Sequence, residues 1–311
     1  MRNLLFLIGR VRSKEGSLLK DADWQRFNEA QSLTAWLKLL KDTDYQAAAE
    51  SDNFENFEAA LNQQMASLKK ELFATQRYPF EPLLWKKYDF HNYKIFLKIH
   101  LGHKDLRKYL IPFGSISLDM LEAYLLKKEK VNIPLELMII LRKAQEIFEE
   151  NNKFSEMDVF LDKEYYKEIL SESKKWGKVI EDYFKLQIDI ANFKIWWFLK
   201  KDNELKVEYI PGGSYPPRYF ELAEEQTSEQ MFSKIFPQIK AENYMEAFMQ
   251  KDMDDNSSNY LFQRRYPNAS ILPVLVYFRA KEIEIKNLKT FYLRQAKNYK
   301  ELSRYMRAIY V

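Results

Sequence analysis

The sequence predicts an all-α protein built from three similar units of about 100 residues, and three observations carry that prediction. First, three of the seven glycines are followed by serine, at Gly16-Ser17, Gly114-Ser115 and Gly213-Ser214, and downstream of each pair lies one polar signature, acid-x-x-Asn-x-Lys. Its copies are Asp89, Asn92 and Lys94; Asp189, Asn192 and Lys194; and Glu284, Asn287 and Lys289. Apolar residues precede each acid (Tyr88, Ile188, Ile283) and follow each Asn (Tyr93, Phe193, Leu288), and an aromatic lies two past each Lys (Phe96, Trp196, Phe291). Second, seven glycines and ten prolines in 311 residues leave little material for the tight turns of an all-β protein. Third, Leu, Lys, Glu, Ala, Gln and Met fill long uninterrupted stretches, which favours helix.

The Gly-Ser pairs set the boundaries: a lead-in over 1–15, then repeats over 16–113, 114–212 and 213–311, forming one continuous three-lobed body. At each pair the glycine permits a turn and the serine hydroxyl is placed to cap the helix that follows. Ile111-Pro112-Phe113-Gly114 and Ile210-Pro211-Gly212-Gly213 are the breaks that lead into two of these turns. A second cap follows the first helix, at Gln31-Ser32 before Trp36, Leu37 and Leu40, and at Gln226-Thr227 before Met231, Phe232 and Ile235. Thr227 with Gln230 reads as a capping box; the middle repeat shows no clear counterpart. The second half of each repeat is a longer helix carrying the signature. In the middle repeat Ile169, Trp176, Ile180, Phe184, Ile188, Ala191, Ile195 and Phe198 recur at spacings of mainly three and four. That stripe predicts one helix of about 30 residues, about 45 Å long. Pro79 and Pro82 break the same region of the first repeat into two shorter helices. The third resumes after Pro273 and runs to about Lys297.

A chain that is 46% hydrophobic, with 22 Phe, 20 Tyr and 6 Trp, has the material for a substantial core. It has no cysteine, so disulfides, thiol catalysis and cysteine-based zinc or iron-sulfur sites are excluded, in keeping with a reducing cytosolic setting. Leu4 to Ile8 is too short for a secretory signal, and Ile271 to Phe278 falls far below the ~20 residues that span a bilayer. The expectation is a soluble chain that meets a membrane only through partners. A net charge of +4 with acids and bases interspersed argues against a nucleic-acid partner, which would want a concentrated basic stripe.

On a helix, residues three apart share a face, so each acid reaches its Asn while the Lys points elsewhere. Acid and amide among large apolar flanks suit a polar notch in a helix crossing, where the amide satisfies a neighbouring backbone group and fixes register. The functional alternative is a metal or substrate site built from three acid-Asn pairs around an axis; with no repeated His or further acid beside them, the structural reading is preferred. His91, His100 and His103 lie in one stretch but lack the further ligands that zinc needs. No phosphate loop, dinucleotide turn, nucleophile elbow or HExxH helix occurs, so neither cofactor nor catalytic residue is expected. Asp252, Asp254 and Asp255 lack the Gly and closing Glu of a calcium loop and read as a solvated acidic turn.

Longer stretches carry a resemblance. Gly9-Arg10-Val11-Arg12 followed by Gly16-Ser17-Leu18-Leu19 is similar to the ARVRxxxGxLL opening of the C subunit of the archaeal and bacterial V/A-type rotary ATPases, counterpart of the eukaryotic d subunit. Asp89 to Lys94 resembles that family's NDLHNL motif and Asp189 to Lys194 its second copy. Pro211-Gly212-Gly213 resembles the family's xGG turn, and Tyr277 to Lys289 its AKExExxNLR stretch. The resemblance covers essentially the whole chain in order; it departs at Gly9, often Ala in the family, and in the acidic stretch 252–258. It implies an all-helical, pseudo-threefold funnel of three quasi-equivalent lobes with no chemistry of its own. Such a protein sits on the cytoplasmic face of the membrane proteolipid ring, receives the D and F subunits of the central shaft, and transmits torque for proton or sodium transport. Arg10 and Arg12 are interface candidates, with helix packing as their alternative. A helical scaffold of another assembly, or an enzyme using the acid-Asn pairs, are the rival readings.

Overall fold

A computed structural model describes residues 2–74, 76–102, 104–200, 208–223, 225–237, 239, 246–265, 270–297 and 305–310. Among these residues every regular element is helical. The chain forms two compact units, residues 1–78 with 241–311, and residues 79–240.

In the first unit lie α1 (Arg2–Glu15), α2 (Asp21–Glu29), α3 (Leu33–Leu40), a 3-10 turn (Gln46–Glu50), α4 (Phe54–Phe73), α12 (Glu246–Phe262) and α13 (Leu272–Lys297). Ser32 caps α3 by accepting the Ala35 N–H, as its position before Trp36 predicts. α13 starts with Pro273 in its first turn, where a missing N–H costs nothing. From Leu272 to Lys281 it is buried on every side, which makes it the central helix of this unit. α1, α3, α4 and α12 all pack on it. Its C-terminal half ends in an aromatic cluster: Trp36 stacks on Phe291 at 6.1 Å and 9°, and Phe57 meets Tyr292 at 4.7 Å.

The second unit holds α5 (Pro82–His100), a 3-10 turn (Arg107–Tyr109), α6 (Leu118–Leu125), α7 (Leu135–Asn151), α8 (Phe154–Ser173), α9 (Lys178–Leu199), α10 (Pro217–Glu221) and α11 (Ser228–Ile235). Its main core joins Phe90, Tyr93 and Phe96 of α5 to Leu137 and Leu141 of α7 and Met157 and Leu161 of α8. α7 and α8 form a hairpin closed by Asn152, which takes the left-handed conformation (φ 53°) and donates its N–H to Phe148 O at 2.6 Å. Across α5 and α8 three lysines meet three acids in antiparallel order: Lys86 with Glu168, Lys94 with Asp162 at 2.7 Å, and Lys98 with Asp158 at 2.7 Å. The capping box of Thr227 and Gln230 starts α11.

Three local expectations are corrected. The middle repeat does not carry one helix of about 30 residues. Gly177 sits at φ +101° and ψ 163°, outside helical space, and separates α8 with its trailing 3-10 turn from α9. Ile169 before the break and Ile180, Phe184 and Ile188 after it are all buried, which is why periodicity alone missed the interruption; the stripe fails at its far end, where Phe198 is 50% exposed. The stretch 252–258 is not a solvated turn but the middle of α12; Met249, Met253 and Leu261 bury one face of it, and Asp254 is itself buried. Finally, none of the three Gly-Ser serines caps a helix. The N-caps are Lys20, Ser117 and Pro216, and the Ser17 hydroxyl donates instead to Lys14 O and to Asp44 Oδ2.

Candidate functional site

The signature acids and the Gly-Ser turns, read from the sequence as two separate markers, are the two halves of one contact. Asp89 Oδ1 accepts the N–H groups of Ser115 (2.6 Å) and Ile116 (3.0 Å). Asp189 accepts those of Ser214 at Oδ2 and Tyr215 at Oδ1, both at 3.1 Å. Each carboxylate sits where a side chain of the turn would otherwise be. A Cβ on Gly114 would lie 2.3 Å from Asp89 Oδ1, and one on Gly213 would lie 2.2 Å from Asp189 Oδ1. These glycines are needed for close approach rather than for backbone freedom.

The third acid follows the same logic with a shift in register. Glu284 Oε1 accepts the Leu19 N–H, so Leu19 stands where Ile116 and Tyr215 stand. The residue matching Gly114 is therefore Ser17, and Gly16 lies one position earlier, with only Ser13 O at 3.7 Å from a Cβ. Glutamate is one methylene longer than aspartate, which lets the carboxylate reach a turn whose crowded position carries a side chain. Glu284 Oε2 also accepts the Tyr45 hydroxyl (2.6 Å) and the Lys281 ammonium (3.1 Å), and Lys281 reaches on to Asp44 (3.1 Å). Burial pushes the Glu284 carboxyl up, and Lys281, Tyr45 and the Leu19 N–H offset this only in part. Asp189 is likewise raised by burial against the opposing pull of the Tyr215 and Ser214 donors.

The asparagines repeat still more closely. Asn92 Nδ2 donates to Ile111 O and its Oδ1 accepts the Ile111 N–H, both at 2.9 Å. Asn192 does the same with Ile210 at 2.8 and 2.7 Å, and Asn287 with Arg307 at 3.0 and 2.9 Å. A primary amide offers one donor and one acceptor side by side, so it pairs with an extended residue as a neighbouring strand would. All three asparagines have no solvent-accessible surface. Ile111 and Ile210 are the residues that lead into the next Gly-Ser turn, so acid and amide together clasp the chain as it passes from one copy to the next. The lysines serve the adjacent helix: Lys94 pairs with Asp162, Lys289 pairs with Glu58 of α4, and the charge of Lys194 acts on Asp162.

Arg10 donates to Glu71 O (2.7 Å) and Leu72 O (3.4 Å), and Arg12 to Glu15 (2.8 Å) and Arg265 O (2.6 Å), so both guanidinium groups engage their own chain. His91 lies against Tyr109 O at 2.9 Å, and burial lowers its pKa. His103 lies outside the described residues. Among the described residues no three of His, Asp or Glu are grouped to hold a metal ion, and no helix is long and apolar enough to cross a membrane.

Sequence reasoning missed one polar centre. Asp254 gathers Lys286 (3.0 Å), Arg307 Nε (2.8 Å) and Arg279 Nη2 (3.3 Å), while Asp255 accepts the Ala308 N–H at 2.6 Å. Burial alone would raise the Asp254 carboxyl, but the three cations overcome it and hold it well below the ordinary carboxylate range. Together with Asn287 this centre fastens the segment 305–310 to α12 and α13. Its sequence signal was faint: an acid and two serines, Ser257 and Ser258, on the helix face that Met249, Met253 and Leu261 bury.

The family model of the ATP synthase (C/AC39) subunit matches residues 7–300. The chain belongs to that family. Among curated relatives of this C/AC39 member, the C subunit of the V-type sodium ATPase of Enterococcus hirae is 23% identical over 320 aligned positions, covering 96% of this chain and 97% of the relative. The C subunit of the A-type ATP synthase of Methanosphaera stadtmanae is 25% identical, covering 90% of this chain and 80% of its own. That of Methanocaldococcus jannaschii is 23% identical, covering 95% and 83%.

Proposed function

We propose that this chain is the non-catalytic central-stalk component of a V/A-type rotary ATPase or ATP synthase. In this reading it is a three-lobed socket on the cytoplasmic face of the membrane, which joins the shaft formed by the D and F subunits to the proteolipid ring and carries torque between them. The observation that carries the reading is the family match over nearly the whole chain, alongside relatives that are themselves the C subunits of V-type and A-type machines. The clasps support it physically. The polar atoms of the signature are spent on backbone groups inside the protein, which leaves them as fasteners rather than reagents. A torque-bearing part needs stiffness, and a clasp at each passage between copies, with a lysine–acid ladder along α5 and α8, resists hinging there. Each of its two interfaces should bury more than about 1,000 Å² to resist slipping.

The test is affinity purification of the tagged chain from gently solubilised native membranes, followed by mass spectrometry. Co-recovery of the shaft proteins with a small, very hydrophobic proteolipid is the expected result. Recovery of neither, from membranes whose ATPase is intact, would overturn the reading in favour of a scaffold of another assembly.

A further inference from the structure

The third clasp differs from the other two in how its halves are joined. In the first, Asn92 holds Ile111 while Asp89 holds Ser115 and Ile116. In the second, Asn192 holds Ile210 while Asp189 holds Ser214 and Tyr215. Amide and acid there grip one short continuous stretch, 111–116 or 210–215, so neither grip lets go without pulling on the other. In the third, Asn287 holds Arg307 whereas Glu284 holds Leu19, from the opposite part of the sequence. Its two halves are therefore free to act separately.

The segment that Asn287 holds is fastened by contacts that leave the groups beneath it satisfied. None of residues 305–310 is buried; all are half-buried. Arg307 Nε reaches Asp254 at 2.8 Å and the Ala308 N–H donates to Asp255 at 2.6 Å. Tyr310 meets Phe262 edge-on at 5.2 Å and donates its hydroxyl to Glu15 at 3.4 Å. Each of these acids has a second partner. Asp254 keeps Lys286 (3.0 Å) and Arg279 (3.3 Å), Asp255 keeps Lys251 (2.5 Å), and Glu15 keeps Arg12 (2.8 Å). Lifting the segment strands no buried charge, and the Asn287 amide, once uncovered, meets water.

We infer that segment 305–310 is a releasable strap, which opens and closes over α12 and α13 while the rest of the first unit stays folded. The third clasp then has an open state that chain continuity denies to the other two. Closed, the strap ties Asn287 of α13, Asp254 and Asp255 of α12 and the last turn of α1 together. Open, it uncovers the acidic pair of α12 and frees Glu15 from Tyr310, while Glu284 keeps its hold on Leu19. A half-buried segment exposes little apolar surface on leaving, which places its opening well below the free energy of global unfolding. None of this depends on the rotary-ATPase reading.

The test is residue-resolved backbone hydrogen exchange of the full-length chain at rising urea concentrations below the unfolding transition. The two halves of one clasp are compared: the Arg307 and Ala308 amides on one side, the Leu19 amide on the other. Arg307 and Ala308 should exchange at least about tenfold faster than Leu19 once corrected for sequence, at rates that urea barely changes, because urea sensitivity scales with the surface exposed. Arg307→Ala removes the charged hydrogen bond to Asp254 from a half-buried position, and should speed exchange of the Ala308 amide about tenfold further with the same flat urea dependence. Arg307 and Ala308 amides that exchange at the Leu19 rate, or that quicken with urea as steeply as Leu19 does, overturn the strap. So does an Ala308 amide whose exchange is unchanged in Arg307→Ala.

Discussion

Replacing Asn192 by leucine removes the amide but keeps the branched shape of the side chain, with two slightly bulkier methyls in place of O and NH2, so it acts mainly on the two hydrogen bonds to Ile210, at 2.8 and 2.7 Å. Both partner groups belong to a residue that is 1% exposed, and water has no path to replace the amide. Stranding one buried donor or acceptor costs about 1–3 kcal/mol. Losing both therefore costs about 2–5 kcal/mol, with the larger apolar contact of leucine returning a fraction. Asn192→Asp is the informative companion: a carboxylate still accepts the Ile210 N–H but repels the Ile210 carbonyl that Nδ2 now serves. Hydrogen exchange of the Ile210 amide reads the rung directly. Protection should fall by about one to three powers of ten, at about 1.4 kcal/mol per tenfold, if local opening governs exchange there. The urea midpoint followed by far-ultraviolet circular dichroism should fall with it. An Ile210 amide that exchanges at the wild-type rate in Asn192→Leu, with an unchanged midpoint, would refute the claim that the rung holds the passage between copies.

The glycines should behave unequally: Gly213→Ala places a Cβ 2.2 Å from Asp189 Oδ1 and should cost about 2–4 kcal/mol by displacing the carboxylate from its donors, whereas Gly16→Ala meets only an oxygen at 3.7 Å and should be near neutral in the same denaturation assay. Tyr45→Phe removes a buried hydroxyl that donates to a carboxylate, and about 1.5–3 kcal/mol should be lost at neutral pH. Asp254→Asn withdraws one buried carboxylate from Arg279, Lys286 and Arg307 together, Glu282 remaining beside Arg279, and should cost about 3–5 kcal/mol near pH 7. Because the folded pKa of Asp254 is depressed, its contribution is present above the ordinary aspartate pKa near 3.8 and is lost as pH falls below it, so wild type and variant should converge in acid. Glu284 has the opposite sign: its raised folded pKa makes the ionised form a cost at neutral pH that acid relieves, so Glu284→Gln should lose less stability relative to wild type at pH 7 than near pH 4.

The helical class, the capping box at Thr227 and the breaks at Pro79 and Pro82 were legible because each depends on residues within a few positions of one another. The threefold signature was legible as repetition. What it binds was not: the spacing from Asp89 to Ser115 says nothing of contact, and the acid of one copy grips the turn that opens the next. Glu284, reaching back across 265 positions to Leu19, is the extreme case. The shift from Gly16 to Ser17 also lay beyond sequence, since the match between glycine and close approach holds only where aspartate, not glutamate, supplies the carboxylate. Gly177 broke a helix across which buried apolar residues recur at helical spacing, Ile169 on one side and Ile180, Phe184 and Ile188 on the other. Asp254 was read as solvated because its three cations lie 25, 32 and 53 positions away, and no local pattern announces such a meeting.

The central claim, that this chain couples shaft to ring, is tested most directly by measuring ATP hydrolysis and ATP-driven ion uptake together in membrane vesicles lacking the chain, before and after the purified protein is added back. Coupling predicts that hydrolysis persists without it, that uptake is lost, and that uptake returns in proportion to the protein restored. Ion uptake that proceeds at full rate in vesicles without the chain would contradict the account.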